Sequence, residues 1–481
     1  MTPVRFDVVI VGAGPAGSTA AILLARAGWS VALVEKQQFP RRKVCGDCIA
    51  ASNLGLIDAL GLGDPFRALA GPALRQVALM GGPTTLIADL PASANPQHPW
   101  GRALGRESLD AMLLDQARAA GARVFQPCMA LSLTGPAGDQ RLRLRDLVSG
   151  AQLLLQAPVA ILAHGSLRTL PADRGDPRRA RRGSDLLSFK ANFSGAQLAP
   201  SLLPVLCFKG GYGGLVVADQ GLTTVACCIR ADRLDALRRA SPGQSAGEVV
   251  EAMLKRDCAG LALALRTAQR DGAWLASGPL FPGVHRQRSD AAFCIGNAAG
   301  EAHPIIGEGM SMAMQSAWLL CSHLLQANRP TGLAAPDTAA SPSFSPSVSP
   351  SVSPSFSPSF SRTANSSVSS PASSAAISAA AQAAGRWQGG VQRRYRADWR
   401  RLFAPRLRLA AAFAHLAMRP ALWAPILALL RMRPGLLAWG AQRITRWAGK
   451  LDCALDPATV TQLAASPRRA GQPTAGAATR T

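Results

Sequence analysis

Along the first stretch of the chain the apolar positions change period twice. Residues 8–11 are an unbroken β-branched run, residues 15–27 are rich in Ala and Leu at helical spacing, and residues 31–34 return to an unbroken apolar run. Buried strand, helix and buried strand in that order predict a βαβ unit. Further on, Leu109, Leu113, Ala117 and Ala120 give residues 101–124 one apolar helical face, and residues 158–162 form another buried β run ending at His164-Gly165. From 186 to 230 the pattern becomes β-rich runs separated by glycine turns, which predicts an antiparallel sheet. Residues 241–268 have helical spacing and suit the outside of that sheet. A short strand near 291–296 is followed by a helix from about Gly309, with Met310, Met314, Ala317 and Leu320 as its inner stripe.

The last third reads differently. Five consecutive SPSF or SPSV units run from Ser341 to Phe360 within a Ser/Pro/Ala-rich stretch, a composition that cannot bury a core and predicts disorder. Beyond it, residues 386–450 are basic, with Asp398 the sole acid, and carry apolar blocks at 409–418 and 421–430. Arg419, Arg431 and Arg433 interrupt these blocks, leaving each short of the roughly 20 residues needed to cross a bilayer. They read as amphipathic helices that cap a pocket or lie on an anionic membrane.

Composition adds bounds. The chain has 481 residues, 48% of them hydrophobic, enough for a full core and two or three domains. A net charge of +24 invites nucleic acid or anionic lipid as a partner, although an overall bias toward Arg accounts for part of it. No nucleic-acid motif is present, so specific nucleic-acid binding is not expected. The first strand begins too early for a signal peptide, so the expected compartment is the cytoplasm, with peripheral contact to the inner face of the membrane as an option. Most of the ten cysteines sit in apolar runs and read as small buried hydrophobes.

The chemistry enters at Gly12-Ala-Gly14-Pro15-Ala16-Gly17. Gly12 permits the tight turn, Gly14 lets the backbone approach a pyrophosphate, and Gly17 lets helix and strand pack closely, while the helix N-terminus faces the phosphates. Glu35, followed by Lys36, ends the second strand, where a carboxylate accepts both ribose hydroxyls and repels a 2′-phosphate. The expected ligand is FAD or NAD. Cys45-Gly46-Asp-Cys48 is open to reading as a redox dithiol or half a zinc site. No second ligand pair supports zinc, and no metal is expected.

Together with the FPRRKVCG loop at 39–46, these motifs resemble the flavoprotein monooxygenases of the aromatic-hydroxylase type and the related geranylgeranyl reductases. The resemblance covers about residues 6–327. It implies FAD as cofactor, NADH or NADPH as transient electron donor, a Cys45-Gly46 backbone beside the flavin ring, and contact of Arg106 with FAD. The family's strand-end Asp-Gly is His164-Gly165 here, which leaves His164 to bond the flavin phosphates or ribityl chain. Its Gly-Asp-Ala-Ala-Gly signature is matched by Gly296-Asn297-Ala-Ala-Gly, then His303-Pro304, then Gly307-Glu-Gly309 with Met310, where the helix opening faces the flavin. Tyr212, in a glycine-rich turn, would face the flavin, and His303 is a candidate proton donor.

The implied fold class is α/β. A Rossmann-like FAD-binding domain (1–185 and 286–329) carries an inserted, mainly antiparallel β substrate domain (186–285). A disordered insert (330–385), a basic amphipathic helical region (386–455) and a disordered tail (456–481) follow. The implied function is an FAD-dependent oxidoreductase. The first reading is a monooxygenase of a hydrophobic, lipid-like or aromatic substrate acting through a flavin C4a-hydroperoxide. The alternative, favoured by the FPRRKVCG loop, is a reductase of prenyl double bonds. A non-catalytic basic flavoprotein that binds membrane or nucleic acid is the third.

Overall fold

The computed structural model describes residues 2–166, 181–285, 291–327 and 371–419, with a few single positions as far as 436. Its first layer system is a five-stranded parallel sheet in the order Phe293–Cys294, Val159–Leu162, Val8–Val11, Val31–Val34, Arg123–Phe125. The register pairs Val8 with Val31 and Val11 with Val34. Both central runs are buried at every position, which is why their sequence shows no alternation. Val8, Ile10, Val31 and Leu33 face the helices Pro15–Arg26, Arg106–Ala119 and Gly309–Gln326 through Leu109, Leu113, Met314 and Leu320. Val9, Val11, Ala32 and Val34 face a four-stranded sheet through Leu142, Leu144 and Leu155.

The second body is a seven-stranded sheet in the order Gln269–Ser277, Leu186–Ser194, Leu222–Arg230, Gly211–Ala218, Leu202–Phe208, Gln76–Gly81, Thr84–Asp89. Its pairs are antiparallel except for Gln76–Gly81 against Leu202–Phe208. Two of the seven strands thus come from residues 76–89, upstream of the 186–285 stretch from which the sequence pattern draws the sheet. One face of this sheet, with Phe189, Phe193, Val225 and Ile229, packs on three helices between Ala231 and Ala264. The opposite face carries Ser188, Lys190, Asn192, Tyr212 and Thr224, all buried.

A helix of 47 residues, Pro371–Ala417, runs back across both bodies. It begins inside the stretch expected to be disordered, because residues 374–384 are dominated by Ala, the strongest helix former, and Pro is tolerated at a helix start. The rest of that stretch, 328–370, lies outside the described residues, as do most of the 421–430 apolar block and the 456–481 tail. Val391, Tyr395, Trp399, Phe403, Leu407, Ala410, Ala414 and Ala417 recur at helical spacing and are all buried. The apolar stripe of 391–417 is therefore covered by the protein itself. Among the described residues no helix is long and apolar enough to cross a membrane.

Candidate functional site

The nucleotide cradle is built by glycines, two of which, Gly12 and Gly17, admit no side chain. Gly12 has φ +103°, and a Cβ there would stand 2.5 Å from the Ala163 carbonyl oxygen. A Cβ on Gly17 would fall on the Gly12 carbonyl oxygen. Gly14 caps the helix that opens at Pro15, Ala16 is buried beneath it, and a Gly14 Cβ would meet Arg106 Nη2 at 3.5 Å. Glu35 is buried, its Oε2 accepting from Ala13 N at 2.9 Å and its Oε1 from Gln37 N at 2.9 Å, so the strand-end carboxylate also ties down the glycine turn. Lys36, next along the chain, is exposed.

Beside the cradle, two cations converge on Asp110 and a third, Lys43, stands close enough to feel their charges. Arg106 donates Nε and Nη2 to its two oxygens at 2.8 and 2.7 Å, and Arg41 Nη2 lies 3.2 Å from Oδ2. Burial pulls the Arg106 guanidinium down, and the Asp110 carboxylate more than reverses this, so its pKa ends above the ordinary value. Lys43 is held down to about 8, first by burial and then by the charges of Arg106 and Arg41. Its ammonium sits 3.6 Å from where a Gly165 Cβ would be. Among the described residues, Arg41 Nε and Nη1 are buried with no hydrogen-bond partner. Burial, and more weakly His285, lowers the His164 pKa, while a backbone bond to Gly165 opposes this. Unpartnered buried donors among crowded cations are what a pyrophosphate would satisfy, so the residues present fit a dinucleotide. Arg41 and Lys43 lie within the FPRRKVCG loop, yet nothing in the local sequence shows that Arg41 reaches Asp110 or that Lys43 is buried beside Arg41 and Arg106.

At the other end, Gly296 (φ +57°), Asn297, Gly309, Ala313, Trp399 and Phe403 border a small cavity. Asn297 Nδ2 donates to Ser166 Oγ and to Glu301 Oε1, both at 3.1 Å. Gly307 has φ +66° and packs on Cys48, while Ala50 N donates to Ser311 Oγ at 3.0 Å, laying the 45–50 loop across the start of the helix Gly309–Gln326. A Cβ at Gly46 or Gly309 would meet nothing within 4 Å, leaving open space on both sides where a flat ring can enter. Met310 points into the core, so only its backbone is available to a ligand. Glu308 is buried under Arg406, whose Nε donates to Oε2 at 3.0 Å and whose Nη1 reaches Gln315 Oε1 at 2.9 Å.

Cys45 and Cys48 are free thiols, and burial, then the Asp47 carboxylate, pushes both pKa values up, which keeps them protonated and poor in dithiol exchange. Asp47 between them has φ +55° and is fully buried against Lys190 Nζ, with Thr224 Oγ1 donating to Oδ2 at 2.8 Å. Burial raises the Asp47 pKa, opposed by Lys190. This network escapes a reading of the sequence because its partners are separated by 143 and 177 residues.

On the sheet side, Tyr212 Oη lies 3.0 Å from His303 Nδ1, and the His303 ring is 5.8 Å from that of His415. Burial, then the His415 charge, brings His303 down to about 4, and burial raises the Tyr212 phenol well above its usual value. At neutral pH the phenol therefore keeps its proton and shares a hydrogen bond with a neutral imidazole, its direction set by which ring nitrogen carries the imidazole proton. Leu186, Cys207, Cys228, Ala414 and Ala417 surround Tyr212, with Leu280 and Ile305 at their edge. His415 has no motif around it and enters the site only through the return of the long helix.

Fold and cradle together define a dinucleotide-binding flavoprotein. The chain belongs to the FAD binding domain family, which matches residues 5–338. It is 35% identical over 131 residues to menaquinone reductase of Mycobacterium tuberculosis, a match spanning 26% of this chain and 30% of that protein. Geranylgeranyl diphosphate reductase of Rhodobacter capsulatus is 30% identical over 162 residues, spanning 34% of this chain and 38% of its own. The chain thus matches less than two-fifths of the length of each. Among solved structures, the myxobacterial chondrochloren halogenase CndH shares the fold at TM-score 0.56 and 22% identity, over 67% of this chain and 74% of that one. A geranylgeranyl bacteriochlorophyll reductase-like protein of Thermoplasma acidophilum does so at 0.55 and 19%, over 68% and 79%.

Proposed function

We propose that the protein is an FAD-dependent oxidoreductase that reduces a carbon–carbon double bond of an apolar, prenyl-like substrate, with NADH or NADPH as visiting electron donor. FAD, when bound, supplies a hydride or activates oxygen. The cradle of Gly12, Gly14, Gly17, Glu35, Arg41, Lys43, Arg106 and His164 would hold its dinucleotide portion, and Asn297 with the 307–309 turn its flavin end. The observation that carries the reductase reading is the Tyr212–His303 pair in an apolar enclosure. Saturating a double bond requires a proton at the second carbon, and Tyr212 Oη, protonated at all ordinary pH values, would give it while His303 in its Nδ1–H form donates to the phenol oxygen and steadies the charge left there. The same pair is badly suited to ionise a phenol, since His303 is too weak a base. Oxygen insertion is the second reading, favoured by the enclosure itself, because exclusion of water limits wasteful side reactions.

The test is stopped-flow absorbance of protein reduced anaerobically with NADPH and mixed with geranylgeraniol or with air. Reoxidation of flavin by the alkene without oxygen is expected, slowed on the order of 10²–10⁴-fold in Tyr212→Phe with substrate affinity kept. Reoxidation by air alone, with an oxygenated product, moves the assignment to a monooxygenase.

A further inference from the structure

Glu301 is a buried carboxylate that the functional reading leaves unused. It is 4% exposed, and each of its oxygens is engaged: Oε1 accepts from Ser166 Oγ at 2.7 Å and from Asn297 Nδ2 at 3.1 Å, and Oε2 from Phe281 N at 3.0 Å. Ser166 Oγ, bonded to Glu301, takes the other Nδ2 contact at 3.1 Å. The amide nitrogen of Asn297 is thereby turned toward Glu301 and Ser166. An amide carries its donors on one side and its acceptor on the other, so with Nδ2 held by these two partners the side chain cannot turn over, and Oδ1 is the end left without a side-chain partner of its own among these contacts.

We propose that Glu301, with Ser166, is a positioning residue that fixes which way the Asn297 amide faces, holding its nitrogen and leaving Oδ1 to accept from a ligand that presents hydroxyl donors, the ribityl chain of the flavin. The inference rests on FAD being the occupant. The walls are close here: a Cβ on Gly296 would meet those of Ala16 at 3.1 Å and Ala313 at 3.5 Å, so a ligand has few other polar contacts. The arrangement also explains why the amide, and not a second carboxylate, occupies position 297. An aspartate there would set two anions against each other in a buried site, and one would have to take up a proton.

The experiment is fluorescence titration of FAD into deflavinated full-length protein, with circular dichroism of each variant to check folding. Asn297→Asp should weaken FAD binding on the order of tenfold at pH 8 and recover part of it at pH 5.5, as a proton comes to be shared between residues 297 and 301. Glu301→Gln should also weaken binding, on the order of tenfold, because its amide lets Asn297 turn over. The double variant N297D/E301Q should return to within about threefold of the parent, since the amide introduced at position 301 then donates to the carboxylate introduced at position 297. If Asn297→Asp binds as the parent does at both pH values, or the double variant is as weak as the two losses added, Glu301 does not position Asn297. Should Glu301→Gln fail to fold, the pH dependence of Asn297→Asp decides alone. A parent protein that takes up no FAD fails the cofactor reading instead, and is told apart by that result.

Discussion

The Tyr212–His303 pair makes stability depend on pH in a defined window. Unfolded, His303 takes up a proton near its ordinary pKa of about 6.5, whereas in the folded protein it does so only near 4. Between these values the unfolded chain binds a proton that the folded chain refuses. The stabilisation from a neutral His303 is therefore fully present above about pH 6.5 and is lost as pH falls toward 4. The drop from 6.5 to about 4 corresponds to about 3 kcal/mol. His415 faces the ring from the long helix, Tyr212 from the sheet, and Glu301 lies near the phenol. Burial also lowers His164 and His323, which add their own share of acid lability. The diagnostic is accordingly a difference between two chains. His303→Gln keeps a hydrogen-bonding partner for Tyr212 and removes the titration. In urea unfolding followed by tryptophan fluorescence, it should lose about 3 kcal/mol less than the parent between pH 7 and pH 4. Parallel loss in both chains would refute the account of His303 as a buried neutral imidazole.

Other outcomes follow from single contacts. Gly17→Ala should abolish FAD retention through purification, read from the absorbance spectrum, because its methyl would occupy the place of the Gly12 carbonyl oxygen. Arg406→Leu leaves Glu308 buried without its cation and should cost about 3–5 kcal/mol, seen as a lower thermal midpoint, with R406L/E308L recovering most of it.

The βαβ unit is legible in the sequence because its signals are local: two apolar runs, glycines at fixed offsets and an acid at a strand end. The same holds for Gly307 and Gly309, which open a helix whose stripe has a clear period. What escapes such a reading depends on distant pairings. Strands Gln76–Gly81 and Thr84–Asp89 carry no clear signal of their own, since only the sheet they join buries one face of them. Arg41 and Lys43 stand in a recognisable loop but look like ordinary solvated charges until the fold sets Arg41 on Asp110 and buries Lys43 beside the two arginines. Asp47 sits inside a cysteine motif that draws the eye to sulfur, while its partner Lys190 lies in another body of the fold. Tyr212 and His303 stand out separately, and their hydrogen bond depends on how the sheet docks. The start of the long helix is hidden by serine and proline, which dominate the composition just before an alanine run takes over.

That long helix also guards a border. Phe293–Cys294 is the last strand of the parallel sheet, and its outer carbonyls would otherwise stand ready to zip onto another chain. Gln388 Nε2 donates to the Ala291 carbonyl at 2.6 Å, Gln392 Nε2 to Ala292 at 2.9 Å and Tyr395 Oη to Cys294 at 2.9 Å. Three side chains one turn apart thus stand in for a missing neighbouring strand. A chain cut before residue 371 would bare that margin together with the apolar floor beneath it, and its fate would be decided by self-association before catalysis came into question.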